Sequence, residues 1–360
     1  MKQKAYCTFI FLLCFLVISF PVQAQSNINE KFVPDHGVLW GASVNNDDGT
    51  VIQEMGRPFD IYHIYHDWKR EFPTEKHKNL INKKGKVLYF TWAPRVYSTG
   101  ETFSWKEIAE GTHDDVIDRA ARNLKDLKQK VFLSFHDEMD GKKGDHQDPE
   151  DYRKAYRRIV ERFQKAGTKN VIFVWTVTGY KGNWQKLDKL YPGNDVVDWI
   201  AWDPYNWSDC RNEKWKSFKE IIHETYQFMT KTFPDKPLML AEYGSVENPN
   251  DPQARANWFR EIPKQLKEYP QLKAVVYFNS NDEKKGCDWR INTKNAIKGF
   301  VEASKDPYVN VLHSQNIHSP NDEESKSDPS PLPKNTADHT PKPKTDVKKK
   351  WFFNLKIKLN

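Results

Sequence analysis

Eight short apolar runs punctuate the chain between residues 37 and 280: Gly37–Ser43, Asp60–Tyr65, Lys86–Trp92, Lys130–Phe135, Asn170–Val177, Val196–Trp202, Leu238–Ala241 and Lys273–Phe278. Most are near-continuous and do not alternate, the pattern of strands covered on both faces, as in parallel sheets. Amphipathic stretches separate several of them. After the third run, Val116, Ile117, Ala120, Ala121, Leu124 and Leu127 recur at helical spacing. After the fourth, Asp148 reads as an N-cap and Pro149 as a first-turn residue. Tyr152, Tyr156, Ile159, Val160 and Phe163 then form a stripe, and Gly167 reads as the helix end. Phe218, Ile221, Ile222 and Met229 repeat the design after the sixth run. Asp251-Pro252 opens another helix, with Trp258, Phe259, Ile262 and Leu266 as its apolar face. Strand and helix alternating in this way predict an α/β fold, a (β/α)₈ TIM barrel. A doubly wound open sheet is the alternative. No glycine-rich phosphate loop follows the first run, which argues against its nucleotide-binding form.

The ends of the chain read differently. Residues 1–24 have a basic start (Lys2, Lys4), an apolar centre (Phe9–Phe20) and a small-residue exit at Ala24. This is the pattern of a signal peptide, too short in its apolar part for a membrane span. A leader (25–36) precedes the barrel domain (37–305). From 306 to 347 the composition turns to Pro, Ser, Asp and Lys, with little to bury, and predicts a disordered linker. Residues 348–360 form a basic, aromatic tail, read either as a solvated end or as a weak attachment to an anionic surface or polymer. The formal charge of +7 does not imply a nucleic-acid partner: the signal's lysines carry +2, residues 342–360 carry +6, and residues 25–341 are left at −1. A secreted monomer is expected. Of four cysteines, Cys7 and Cys14 leave with the signal. Cys210 and Cys287 each follow a predicted strand and are expected either as a disulfide or as two free thiols.

Two apolar runs end abruptly in acids. Val131–Phe135 leads into His136-Asp137-Glu138, and Leu238–Ala241 leads into Glu242. In a barrel of this kind the site lies at the carboxyl ends of the strands, so Glu138 and Glu242 are the candidate chemistry. Such a pair suits glycoside cleavage, one carboxyl donating a proton to the leaving oxygen while the other attacks or stabilises the anomeric carbon. The strand ends are also rich in aromatic residues, and the chain holds 13 Trp. Trp92, Trp175, Trp202 and Trp289 are candidate sugar-stacking residues, Tyr205 is a candidate for touching the nucleophile or the sugar, and His63, His136 and Asp137 are candidate hydroxyl contacts. Barrel packing is the competing explanation for each ring. No cofactor is expected. No metal is expected either: HExxH and paired-Cys motifs are absent, and His136, Asp137 and Glu138, read as consecutive strand residues, would face opposite ways. A GxSxG elbow is also missing.

Three segments resemble glycoside hydrolase family 26: His136-Asp137-Glu138-Met139-Asp140-Gly141; Tyr191-Pro192-Gly193 with Val197-Asp198 and Asp203-Pro204-Tyr205; and Ala241-Glu242-Tyr243-Gly244. The resemblance covers roughly residues 37–303. It implies a retaining barrel glycosidase with Glu138 as acid/base, Glu242 as nucleophile and Tyr205 as a hydrogen-bonding residue of the site. β-Mannanases belong to that family, so the simplest expectation is a retaining endo-β-1,4-mannanase acting on a polysaccharide. Two departures stand out: Asp137, and not a histidine, directly precedes Glu138, and Lys142-Lys143-Gly144 stands where the mannanases carry a Trp. Mixed-linked β-glucan, β-1,3-xylan or an exopolysaccharide are alternative substrates, a transglycosylase is an alternative reaction, and a non-catalytic glycan-binding barrel is an alternative role.

Overall fold

In a computed structural model, residues 28–43, 54, 59–84, 87–141, 147–282 and 286–312 are described. They form a closed barrel of parallel strands. Its staves are β1 (Leu39–Ser43), β2 (Ile61–Asp67), β3 (Val87–Ala93), β4 (Val131–Phe135), β5 (Val171–Val177), β6 (Trp199–Trp202), β8 (Leu238–Ser245) and β9 (Leu272–Tyr277). Each pairs with the next, β6 pairs with β8, and β9 closes on β1 through Leu39↔Ala274 and Gly41↔Val276. All eight runs read from the sequence are these strands, most with ends shifted by one or two residues. The larger differences are at β6, whose ladder begins three residues later than the run, and at β8, which continues four residues further, past Glu242. The extension exists because a two-residue strand, β7 (Tyr205–Asn206), pairs in parallel with Gly244 and Ser245.

Helices cover the outside: α1 (Glu75–Lys84), α2 (Trp105–Glu110), α3 (Asp114–Asp126), α4 (Pro149–Lys165), α5 (Trp184–Leu190), α6 (Phe218–Thr232), α7 (Ala254–Leu266) and α8 (Lys294–Ser304). Their starts follow local chemistry. The Asp148 carboxylate accepts from Glu150 N at the head of α4, and Ser217 with Glu220 forms a reciprocal capping box at the head of α6. The alternation of each strand sorts side chains into two cores. Leu39, Tyr89, Phe132, Val174, Trp199 and Met239 fill the barrel, while Trp40, Phe90, Leu133, Trp175, Ile200 and Leu240 pack against the helices.

The barrel's amino-terminal end is closed by segments expected to lie outside it. Phe32 of the leader packs edge-on to Phe132 at 5.8 Å, and the Trp199 indole donates to Lys31 O at 2.8 Å. At the other end of the chain, Val38 N donates to Tyr308 O at 2.8 Å, Asn310 N to Val38 O at 3.1 Å, and Leu312 N to the Asp60 carboxylate at 3.1 Å. Val309 and Val311 are buried. The expected boundary at 305 therefore moves to at least 312: the turn toward polar composition at 306 conceals two buried valines spaced to enter the core. The expected signal peptide, Lys142-Lys143-Gly144 and the chain from 313 onward, tail included, lie outside the described residues.

Candidate active site

At the end of β4 the chain leaves strand geometry. His136 and Glu138 both adopt left-handed backbone conformations, with φ of 48° and 53°, uncommon for residues with a β-carbon and concentrated at functional sites. Flanking barrel strands hold the segment: His136 N donates to Trp92 O at 3.0 Å and Glu138 N to Thr176 O at 3.1 Å. The twist overturns the expectation that His136, Asp137 and Glu138 face opposite ways, because all three line one cavity. The Trp105 indole donates to His136 Nδ1 at 2.7 Å, which leaves Nε2 as the donor of the neutral ring. Asp140 anchors the loop's far side, accepting from Thr178 N at 2.8 Å and from the Thr178 hydroxyl at 2.5 Å.

Glu242 is held from three directions. The Tyr65 phenol donates to its Oε1 at 2.5 Å, the Tyr205 phenol donates to its Oε2, and its own backbone N–H donates to Asp203 at 2.9 Å. β7 delivers Tyr205 by pairing with Gly244, where an added β-carbon would sit 2.9 Å from the Trp289 ring and 3.0 Å from the Tyr205 ring. A side chain there would push both rings away. Burial, then the charges of Glu138 and Asp137, pushes the Glu242 carboxyl up to about 7, against the two phenol hydrogen bonds that favour its ionised form. Burial, then the Glu242 charge, raises both phenols well above the ordinary range, so they remain donors.

Glu138, Glu242 and Phe278 line two adjoining cavities of about 870 and about 660 Å³. The larger lobe is walled by Trp202, Tyr205, Trp207 and Trp289. The smaller holds Tyr65, His136, Asp137 and Tyr97. Three candidates from the sequence fall elsewhere. Trp92 is buried and stacked on Trp68 at 4.3 Å, and Trp175 is wedged against Tyr191 and Phe233. Both occupy outward-facing strand positions, so they pack helices and not substrate. His63 lies beneath the site, bonded to the Thr91 hydroxyl at 2.8 Å and ring-to-ring with Tyr65 at 4.4 Å. Burial pushes it down to about 3, so it is a neutral support for Tyr65. Cys210 and Cys287 are joined in a disulfide. Neither Tyr65 nor Asp203 is among the site candidates read from the sequence, although Asp203 falls within a matching segment. The signal was present in both: each sits at or just beyond the end of a barrel strand.

Residues 93–244 match a family model described as glycosyl hydrolase family 26. The sequence is 27% identical over 318 residues to Endoglucanase H of Acetivibrio thermocellus, covering 84% of this chain and 33% of that protein. It is 24% identical over 193 residues to a beta-1,3-xylanase of an Alcaligenes species, covering 49% of this chain and 40% of that protein. The chain thus spans well under half the length of both relatives. Among solved structures, a GH26 β-mannanase from Bacteroides ovatus superposes with a TM-score of 0.58 at 16% identity, covering 76% of this chain and 90% of the other. A modular endo-β-1,4-mannanase from Cellulomonas fimi gives 0.58 at 17% identity, covering 76% and 71%. At such identity these two structures share the fold.

Proposed function

The chain belongs to glycosyl hydrolase family 26, and from that premise we propose that it is a secreted, retaining endo-β-glycanase with Glu242 as nucleophile and Glu138 as acid/base. One observation carries the reading: a carboxylate clamped by two phenols shares a single cleft with a second carboxyl on a distorted strand end. In this mechanism Glu242 attacks the anomeric carbon while Glu138 gives its proton to the departing glycosidic oxygen. The bond to the leaving sugar breaks and a glycosyl ester of Glu242 forms. Glu138, now ionised, takes a proton from water, which displaces Glu242 and releases a product of unchanged anomeric configuration. Tyr65 and Tyr205 fix which carboxylate oxygen faces the sugar.

A cleft that continues to both sides of the carboxylates suits a chain bound through its interior, and so endo cleavage. A β-glucan is the first substrate to test, because the match to an endoglucanase runs over 84% of the chain, whereas the likeness to mannanases is one of fold. β-1,4-Mannan, the simplest expectation from the motifs, and β-1,3-xylan follow. Secretion rests on the amino-terminal basic–apolar pattern, and weak surface attachment on the basic tail.

The test is residues 25–360 incubated with lichenan, glucomannan, galactomannan, β-1,3-xylan and an acidic exopolysaccharide. Reducing ends, product sizes and the anomer first released, read by proton NMR, are the measurements. Short oligomers of retained configuration are expected from at least one polymer. Inverted products would remove the nucleophile assignment. Saturable binding without any product would favour the non-catalytic reading.

A further inference from the structure

Among the described residues, two large apolar side chains stand exposed, Tyr180 at 69% and Tyr97 at 43%. Every other described Phe, Tyr and Trp ring is buried or half-buried. Both line the cleft, and they do so from different lobes, Tyr180 the larger and Tyr97 the smaller. A single exposed ring is ordinary on a protein surface, but the two here both stand on the walls of one cleft, where a bound polymer would meet them. The apolar faces of equatorially linked pyranose rings are such a partner, meeting an aromatic face through their axial C–H bonds. Resting on the glycanase reading above, we infer that Tyr180 and Tyr97 are outer sugar-binding platforms, one on each side of the carboxylates, that grip a β-linked chain beyond the units being cleaved.

The Tyr180 ring is built into place. Its backbone N–H donates to the Thr178 hydroxyl at 3.2 Å, and its carbonyl accepts from Asn183 N at 2.8 Å. Asn183 Nδ2 also donates to the Thr178 hydroxyl, at 3.2 Å, and that hydroxyl gives its own proton to Asp140. One hydroxyl with two acceptor contacts and one donor contact is fully used. Asp140 belongs to the loop that bears Glu138, so the platform and the proposed acid hang from one framework. The ring itself lies over Gly182: a β-carbon added there would fall 2.4 Å from Tyr180 Cε1. The ring therefore lies close against bare backbone. Tyr97 stands in a loop closed by Val96 N to Glu101 O at 2.8 Å and by a bridge between Arg95 and Thr102. The Arg95 guanidinium lies 5.3 Å from the Tyr97 ring centre and helps orient it.

The experiment compares Tyr180→Ala, Tyr180→Phe, Tyr97→Ala, Tyr97→Phe and Gly182→Ala in residues 25–360. Each is assayed on the best-cleaved polymer and on a short aryl β-glycoside that reaches only the central units. Each Tyr→Ala change should raise KM for the polymer by about tenfold with kcat within about twofold, and the effect should shrink on the short substrate. The Phe variants should restore parental KM, since stacking needs the ring and not the hydroxyl. Gly182→Ala should behave like Tyr180→Ala and add nothing to it, because it acts only by moving that ring. Polymer KM unchanged in both Ala variants overturns the inference while leaving the glycanase reading intact. If no polymer is cleaved, retention of the Glu242→Gln protein on insoluble glucan and mannan replaces the assay. Unchanged retention of its Ala variants overturns the inference, and no retention of the Glu242→Gln protein itself overturns both.

Discussion

As the proposed nucleophile, Glu242 would have to be buried enough to exclude water and yet ionised enough to attack, and its surroundings express that conflict. Burial and the neighbouring acids push it up to about 7, and two phenols pull the other way. In the proposed reaction Glu242 attacks as the carboxylate while Glu138 holds the proton to be donated. A bell-shaped dependence of kcat/KM on pH is expected, and removing Glu138 should narrow it to one limb. The stability consequence has a definite sign. A carboxyl raised from 4.5 to about 7 on folding binds more protons folded than unfolded between those pH values. Stability is therefore full below about 4.5, falls as pH rises through that window, and levels off above about 7. Glu242→Gln should lose at least about 10⁴-fold in polymer hydrolysis, yet melt higher than the parent at pH 8, by up to about 3 kcal/mol, with the gap closing at pH 4. Thermal melts at the two pH values decide it; a variant less stable at pH 8 would show that the phenol clamp outweighs burial. Glu138→Ala should slow polymer hydrolysis by about 10²–10⁴-fold while sparing aryl glycosides with good leaving groups. Equal loss on both substrate kinds would contradict its proposed role as acid. Both acids of the cleft were legible as candidates because each stands within three residues of the end of a buried run, Glu138 after Phe135 and Glu242 after Ala241. Trp92 and Trp175 misled because a ring near a strand end is ambiguous until the alternation is counted: Tyr89 and Val174 face the barrel, so Phe90, Trp92 and Trp175 face the helices.

At the scale of elements, the eight strands were legible because a two-sided strand leaves a continuous apolar trace. What the trace hides is how a strand ends. The left-handed His136 and Glu138 bring three consecutive side chains to one cavity, and nothing in their residue types announces it. The lobe beyond Glu242 depends on a similar hidden device. Tyr205 is fixed by the backbone pairing of β7 with β8, and Asn206 adds a bond to the Ser245 hydroxyl at 3.0 Å. Trp289 is fixed by its carbonyl, which accepts from buried Arg255 at 2.6 Å and from the Tyr277 phenol at 2.6 Å. Between them, the turn Ser208–Arg211 is closed mostly on itself, through Cys210 N to Trp207 O and Asn212 N to Asp209 O. Its covalent tie is the disulfide to Cys287, which holds Trp207 5.1 Å from Trp289. The joint variant Cys210→Ser with Cys287→Ser should therefore raise KM for polymer by roughly threefold or more while kcat on aryl glycosides holds. Its melting point should also fall, since a crosslink closing 77 residues stabilises by about 4 kcal/mol in chain-entropy terms. A drop in kcat with unchanged KM would mean that the bond positions Tyr205 instead.

At the scale of the molecule, the barrel is completed by chain that composition alone assigns elsewhere. A parallel barrel leaves its amino-terminal end open to water unless something covers the inner core, and here the cover comes from both sides of the domain. Phe32 and Lys31 reach Phe132 and Trp199 from one side, while Val311 and Leu312 arrive from the other and neighbouring Val309 is buried in the outer core. The sequence concealed the second half because two buried valines in a polar stretch carry no periodicity to detect, and their partners, Val38 and Asp60, lie some 250 to 270 positions away. Two truncations separate the readings. A chain ending at 312 keeps every one of these contacts. A chain ending at 305 loses both valines and leaves the Val38 amide and carbonyl, the Asp60 carboxylate and the floor of the inner core without those partners. Burying two valines contributes about 3–6 kcal/mol, so the shorter chain should melt lower on the order of 10 °C or more. The cleft lies at the opposite end of the strands, so its kcat on aryl glycosides should hold wherever the shorter chain remains folded. Equal melting temperatures for the two truncations would return the boundary to 305 and make residues 306–312 an incidental cover.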